Sequence, residues 1–318
     1  MDCCASSELT SDRHTARSRS RRVGAAVMLA SGLCFGMSGV FTRSIEGGAW
    51  EIASWRGLVA TPVIVAYVRW RRWRDAEPIR VRLDPVSSAK AMVLLTLNGA
   101  AMVLLVTALQ RTAVANVSVI MATIPFMAAG LGWLILREGL RRSTIIAAVV
   151  SFGGVILTVT GSLGAGNLEG DLLAVALSIT LASLIVLIRR FPGTDALLAQ
   201  AGSGVVLFPV ALMVADPLGM DASEMPLAVA FGLVFAVALI LWTEGVRRLR
   251  AAEAALLATS ETPCSILSAW IVVSEAPPVL TVVGGLLIVG AVVTHARADL
   301  ARDRVGRPWQ RQRTRPTI

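Results

Sequence analysis

The sequence predicts an all-α membrane protein, with ten transmembrane helices in two inverted five-helix repeats. Three observations carry that expectation. Apolar residues come in long blocks with the charges between them, basic residues gather in alternate loops, and the second half of the chain repeats the first. Of 318 residues, 55% are hydrophobic and 16% charged, and mean hydropathy is +0.70. A soluble domain of this length carries about 25% charge. A block of about 20 apolar residues spans a hydrocarbon core of about 30 Å. Lipid cannot hydrogen-bond to a backbone, so such a block must be helical. Alternating segments of a β-barrel are absent from the sequence.

Ten blocks follow one another: Val23–Val40, Ala49–Val68, Ala91–Leu109, Ala113–Leu136, Ser143–Gly161, Leu172–Ile188, Ala196–Val214, Pro226–Thr243, Ala251–Val273 and Pro278–Thr294. They are expected helices 1 to 10. The sixth is short, and the second carries an arginine. Of the 30 lysines and arginines, all but Arg43, Arg56 and Arg111 fall before helix 1, between helices 2 and 3, after helices 4, 6 and 8, or in the C-terminal tail. Those loops share one side, and the positive-inside rule makes it the cytoplasm of a cell (inner) membrane, with both termini there. The loop between helices 7 and 8, with Asp216, Asp221 and Glu224, then faces out. The same distribution argues against reading the net charge of +9 as a nucleic-acid footprint. Trp55, Trp70, Trp73 and Trp309 fit interfacial anchoring.

The repeat is visible on alignment. A shift of 137 residues lays helices 3–5 on helices 8–10, with Asn116 on Glu253, Trp133 on Trp270, Glu138 on Glu275 and Gly153 on Gly290. Shifts of 146 and 147 lay helix 1 on helix 6 and helix 2 on helix 7, setting Gly24 on Gly170, Arg43 on Arg189 and Pro62 on Pro209. The expected organisation is a basic tail over 1–22, a first repeat over 23–162, a second over 169–296 and a basic tail over 297–318, the stretch after Thr294 being disordered and close to lipid heads. Five helices per repeat is an odd number, so the second repeat enters the membrane upside down. Inverted repeats suit secondary transporters, whose halves rock about a central site. Pro62, Pro209, Pro125 and Pro263 lie inside helices, either as hinges or as ordinary membrane-helix prolines.

Glu261 lies ten residues into helix 9, about 15 Å along the axis. A carboxylate at that depth must face a cavity, find a partner or be protonated. Its repeat partner is Ile124, so fold symmetry does not require an acid there. Proton coupling or cation binding stands against a structural ion pair. Arg56 lies about 10 Å into helix 2. It either snorkels outward, pairs with Glu261 or holds a substrate carboxylate. Asn98, Asn116, Thr123, Trp242 and Thr243 are candidates to line a cavity, with helix packing as the plainer role for each. Ala254, Ala258, Glu261, Ser265 and Ser268 form one small or polar stripe on helix 9. Glu138 and Glu275 end helices 4 and 9 at opposite faces. The four cysteines (Cys3, Cys4, Cys34, Cys264) have no scaffold spacing, although Cys3 and Cys4 are open to acylation. His14 and His295 are the only histidines, so no metal cluster is expected, and no P-loop is present. The first 22 residues lack the apolar core of a signal peptide.

The ordered set of motifs resembles the EamA-like branch of the drug/metabolite transporter superfamily. In the first module the residues are Ala113-Val-Ala-Asn116, then Pro125, then Arg137-Glu138-Gly139-Leu140. In the second they are Leu249-Arg-Ala-Ala-Glu253, Ser260-Glu261, Ser274-Glu275 and Gly284-Gly-Leu-Leu-Ile-Val-Gly290. Pro263 falls one place late, and Ala147 stands where the family has glycine. The resemblance covers Val23 to Thr294. It implies a cavity between modules, alternating access, and movement of amino acids, other metabolites or drugs. The expectation is therefore a proton-coupled exporter of a small polar metabolite, not an enzyme, without cofactor or metal. Its partners are the substrate, membrane lipids and protons, with no nucleic acid and with homodimer formation left open. An uncoupled facilitator, and a non-transporting scaffold or sensor with a carrier-like fold, remain as alternatives.

Overall fold

Among the described residues the apolar blocks form helices. The structure, a computed structural model, describes residues 22–74, 85–137, 142–162, 167–191, 196–249 and 257–305. Glu138, Arg141, Glu253, Ala254, the cysteines of the N-terminal tail, His14 and Trp309 lie outside the described residues. All regular structure among the described residues is helical.

The segments are α1 (Arg22–Ser44), α2 (Ala49–Arg74), α3 (Pro85–Arg111), α4 (Val114–Leu136), α5 (Arg142–Ser162), α6 (Leu168–Arg190), α7 (Ala196–Val214), α8 (Met225–Arg248), α9 (Glu261–Val273) and α10 (Val279–Val305). Several run past their apolar blocks. The clearest correction is at the C-terminus, where α10 continues to Val305 through the stretch expected to be disordered after Thr294. Among the described residues six helices are long and apolar enough to cross a membrane: α1, α4, α6, α8 and the apolar parts Ala89–Arg111 of α3 and Thr144–Gly161 of α5. Shorter apolar helices cover Gln200–Val214, Glu261–Val273 and Val279–His295. Large apolar side chains such as Met213, Val279 and Ile271 are exposed on the bundle surface, as lipid-facing residues are.

The helices are interrupted at specific places. α1 breaks at Met37, leaving a last segment Ser38–Ser44. α4 breaks at Ala122–Thr123, just before Pro125. α9 is preceded by a turn at Thr259–Ser260, two residues before Thr262-Pro263. By the shift of 137, Ala122–Thr123 falls on Thr259–Ser260. A proline near the start of a new helical segment gives up an N–H that has no partner anyway, so the break and the proline fit together. Pro62 and Pro209 behave differently, since α2 and α7 each run through their proline as one helix.

The ends match as well. Arg137 (φ 54°) and Ser274 (φ 58°) are the non-glycine residues with positive φ among the described residues. They cap α4 and α9, and the cap N–H groups reach Gly132 O and Ala269 O. Each of these residues falls on its counterpart by the same shift. Packing follows the exchange: α2 meets α7, α4 meets α9 and α5 meets α10, while α3–α6 answers α8–α1, α3–α7 answers α8–α2, and α4–α6 answers α9–α1.

Candidate functional site

Among the described residues the two deep charges predicted from sequence form no ion pair with each other or with another charge. Arg56 on α2 is 1% exposed. Its Nε and Nη1 have no hydrogen-bond partner among the described residues. Its guanidinium lies over two rings of α8 instead, 5.1 Å from the centroid of Phe231 and 4.6 Å from that of Phe235. It therefore does not snorkel to the surface, and it makes no ion pair with Glu261. A buried cation held only by ring faces keeps the capacity to take an anion.

Glu261 is half-buried and opens α9 at its first residue. Its carboxylate makes no ion pair or hydrogen bond among the described residues. Two glycines of α1 let that helix lie against the start of α9: a Cβ on Gly36 would sit 2.9 Å from Cys264 Cβ and 2.9 Å from Ser265 N, and one on Gly32 would sit 3.2 Å from Glu261 N. Ser268 Oγ donates to Gly36 O at 2.8 Å. The other side of α1 reaches the base. Phe35 meets Phe235 edge-on at 6.0 Å, and Phe41 stacks on Phe231 at 5.2 Å with the rings 8° apart. Helix α1 thus touches both the start of α9, at the acid, and the two α8 rings on which the base lies.

The other candidates are engaged elsewhere. Asn98 donates to Ser203 Oγ at 2.7 Å and to Gln200 O at 3.3 Å, tying α3 to α7. Thr123 is fully buried and donates to Ile120 O at 2.7 Å, inside the break of α4. Trp242 is 38% exposed and takes part in none of these contacts. Asn116 and Thr123 share a sequence spacing of one helix face, but the break at Ala122–Thr123 comes between them. Ser118 Oγ donates to Ser265 Oγ at 2.7 Å across the α4–α9 seam.

The profile of the EamA-like transporter family matches residues 22–160 and 168–295. The chain belongs to the EamA-like transporter family. A solved crystal structure has the same fold: the TM-score is 0.58 at 18% identity, over 88% of this chain and 97% of that one. No curated protein matches the sequence. Membership makes this EamA-like chain a membrane transporter of the drug/metabolite type.

One buried acid of this EamA-like protein escaped the sequence reading. Asp171 on α6 is 0% exposed. Its Oδ1 accepts from Thr112 Oγ1 at 2.6 Å and from Asn116 Nδ2 at 3.2 Å, and Asn116 Oδ1 in turn accepts from Thr281 Oγ1 at 2.5 Å. This network pins the start of α4 to α6 and α10. Asp171 lies in the first turn of α6 and beside the first turn of α4, where helix dipoles favour a negative charge. That makes it a positioning group. Asn116, expected at a cavity, belongs to this network.

Proposed function

We propose that this protein is a proton-coupled secondary transporter that exports a small polar metabolite bearing a carboxylate, an amino acid or a related compound, by alternating access. The reading includes ten membrane crossings in two inverted repeats, with both termini in the cytoplasm of an inner membrane. Membrane lipid is its surround, and a homodimer is compatible with it.

The observation that carries the reading is a pair of charges without an ion-pair partner among the described residues, Arg56 and Glu261. Each breaks the internal repeat where the surrounding structure keeps it. Arg56 falls on Ser203, next to the close crossing of α2 and α7. Glu261 falls on Ile124, at the matched breaks of α4 and α9. A lone ionisable group inside a membrane bundle is costly unless it serves a ligand or proton. Arg56 offers a fork for a carboxylate. Glu261 can carry a proton or meet a cationic group of the substrate. Broken helices at mid-span, as in α4 and α9, are where transporters of inverted-repeat design place their sites.

The test is counterflow in proteoliposomes with labelled amino acids and small amines, at mildly acidic and mildly alkaline pH. Saturable exchange is expected, with a pH dependence that disappears in Glu261→Gln. Exchange with unchanged pH dependence in that variant would leave a carrier and remove the proton role, which is the facilitator reading. No exchange for any compound, from protein that stays monodisperse, would favour a scaffold or sensor.

A further inference from the structure

The last segment of α1, Ser38–Ser44, sits between the Met37 break and the loop to α2, and its contacts are unlike those of the rest of the helix. Arg43 near its end forms an ion pair with Glu275, Nε to Oε2 at 3.2 Å, and its Nη2 donates to Thr112 O at 2.8 Å. Glu275 Oε1 accepts the backbone N–H of Val114 at 2.8 Å, capping α4. Arg43 thereby fastens the segment to a platform made of α4, α6 and α10, which the Asp171–Asn116–Thr281 network holds together with no exposed member. The ion pair is different in kind, since its side chains are 28% and 22% exposed. A part-exposed pair is weak enough to open and close in a transport cycle. Gly39 of the same segment covers Val114, and Val114 is fully buried beneath it.

Aromatic contacts straddle the break. Phe35, before Met37, meets Phe235; Phe41, after it, stacks on Phe231. Both phenylalanines of α8 lie under the Arg56 guanidinium. Anything that moves Arg56 therefore acts on the two parts of α1 through separate rings.

We propose that Ser38–Ser44 is the outer gate of the carrier, hinged at Met37, latched by Arg43 on Glu275 and Thr112, and coupled to Arg56 through the Phe41–Phe231 stack. This rests on the transport reading and on the orientation given above. Opening breaks the Arg43 contacts, unstacks Phe41 and uncovers Val114; the Asp171 network stays intact.

The experiment places a reporter, Val114→Cys, in a background whose four native cysteines are replaced, and follows labelling by a membrane-impermeant maleimide in right-side-out vesicles. Arg43→Gln, Glu275→Gln and Phe41→Ala should each speed labelling about three- to tenfold, the population shift expected from losing a part-exposed contact set. Arg43→Lys, which keeps the charge and loses the fork, should fall between. Equal labelling rates in all variants that remain monodisperse would overturn the gate, as would acceleration seen instead in inverted vesicles. Glu275→Gln retains an oxygen for the Val114 N–H, and Arg43→Gln leaves that cap untouched, so either carries the test if the other fails to fold. Labelling needs no substrate. Faster labelling in variants of a chain that carries no solute would remove the transport reading and leave a segment that opens but gates no carrier; intact counterflow with indifferent labelling would keep the transport reading and remove the gate.

Discussion

Gly57 on α2 and Gly204 on α7 are repeat counterparts, related by the shift of 147, and they touch each other. A Cβ built on Gly57 would lie 2.7 Å from Gly204 Cα, with Met102 Sδ at 3.5 Å. The two helices therefore cross at their closest where repeat counterparts meet. Gly57 is also next to Arg56, so the spacing of α2 and α7 sets where the guanidinium sits. Backbone lies on both sides of the gap, and neither helix can yield by a rotamer change. Gly57→Ala and Gly204→Ala should each lower stability by about 1–3 kcal/mol. Gly99→Ala, where a Cβ meets nothing within 4 Å, should not. Thermal unfolding in one detergent, read side by side, decides this; equal melting of Gly57→Ala and Gly99→Ala would show that the crossing is loose.

Ser274 caps α9 with φ 58°. The left-handed region costs a side-chain-bearing residue about 1–2 kcal/mol, while glycine enters it freely but loses more entropy on folding. The balance favours glycine at such a cap. Ser274→Gly should raise the melting temperature, with a gain of roughly 0.5–1 kcal/mol. A drop would mean that the serine side chain holds something the backbone geometry does not reveal.

How far these features were legible in the sequence differs from element to element. Apolar blocks and loop charges were enough to expect the helices seen among the described residues, because lipid leaves the backbone no other choice. Arg56 and Glu261 were legible for the same reason, as charges where none belongs. Their separation was not, since pairing depends on how α1 inserts between α9 and α8. Asp171 was missed because the sixth block begins at Leu172, and an acid at a block edge reads as a solvated end. Only the folding of α4 onto α6 buries it. The signal was nonetheless present, since Asp171 falls on Ala25 in the repeat, an asymmetry of the kind that singled out Glu261. Of the four prolines read either as hinges or as ordinary membrane-helix prolines, Pro125 and Pro263 lie beside breaks and Pro62 and Pro209 do not, for a local reason. Proline 62 and proline 209 announce a kink as loudly as Pro125 and Pro263, yet α2 and α7 run through. Around Pro62 the preceding Thr61 hydroxyl bonds Gly57 O at 2.8 Å and Ala201 O at 2.6 Å, which holds α2 against α7.

Asp171 offers a test of position against chemistry. Replacing it with alanine strands the buried Thr112 hydroxyl and removes one acceptor of the buried Asn116 amide. Leaving buried donors unsatisfied costs about 1–3 kcal/mol. Asp171→Ala should therefore destabilise the protein by that amount and slow counterflow without altering its pH dependence. A flattened pH profile in Asp171→Ala, like that expected for Glu261→Gln, would move Asp171 from the scaffold into the coupling machinery.

Arg56 separates binding from stability most sharply. Its charge is buried with no ion pair among the described residues, and the Phe231 and Phe235 rings compensate only part of the desolvation. Replacing a poorly compensated buried charge with an apolar group of similar size is often neutral or stabilising. Arg56→Leu should thus melt no lower than the parent, while counterflow of a carboxylate-bearing solute falls at least about a hundredfold, the loss expected when a desolvated bidentate partner is removed. Arg56→Lys keeps the charge but not the fork, and should recover only part of the rate. Paired melting and transport measurements on the same preparations give the answer. A stable Arg56→Leu that still transports at the parental rate would show that the guanidinium supports the rings rather than the solute, and the carboxylate site would have to be sought elsewhere.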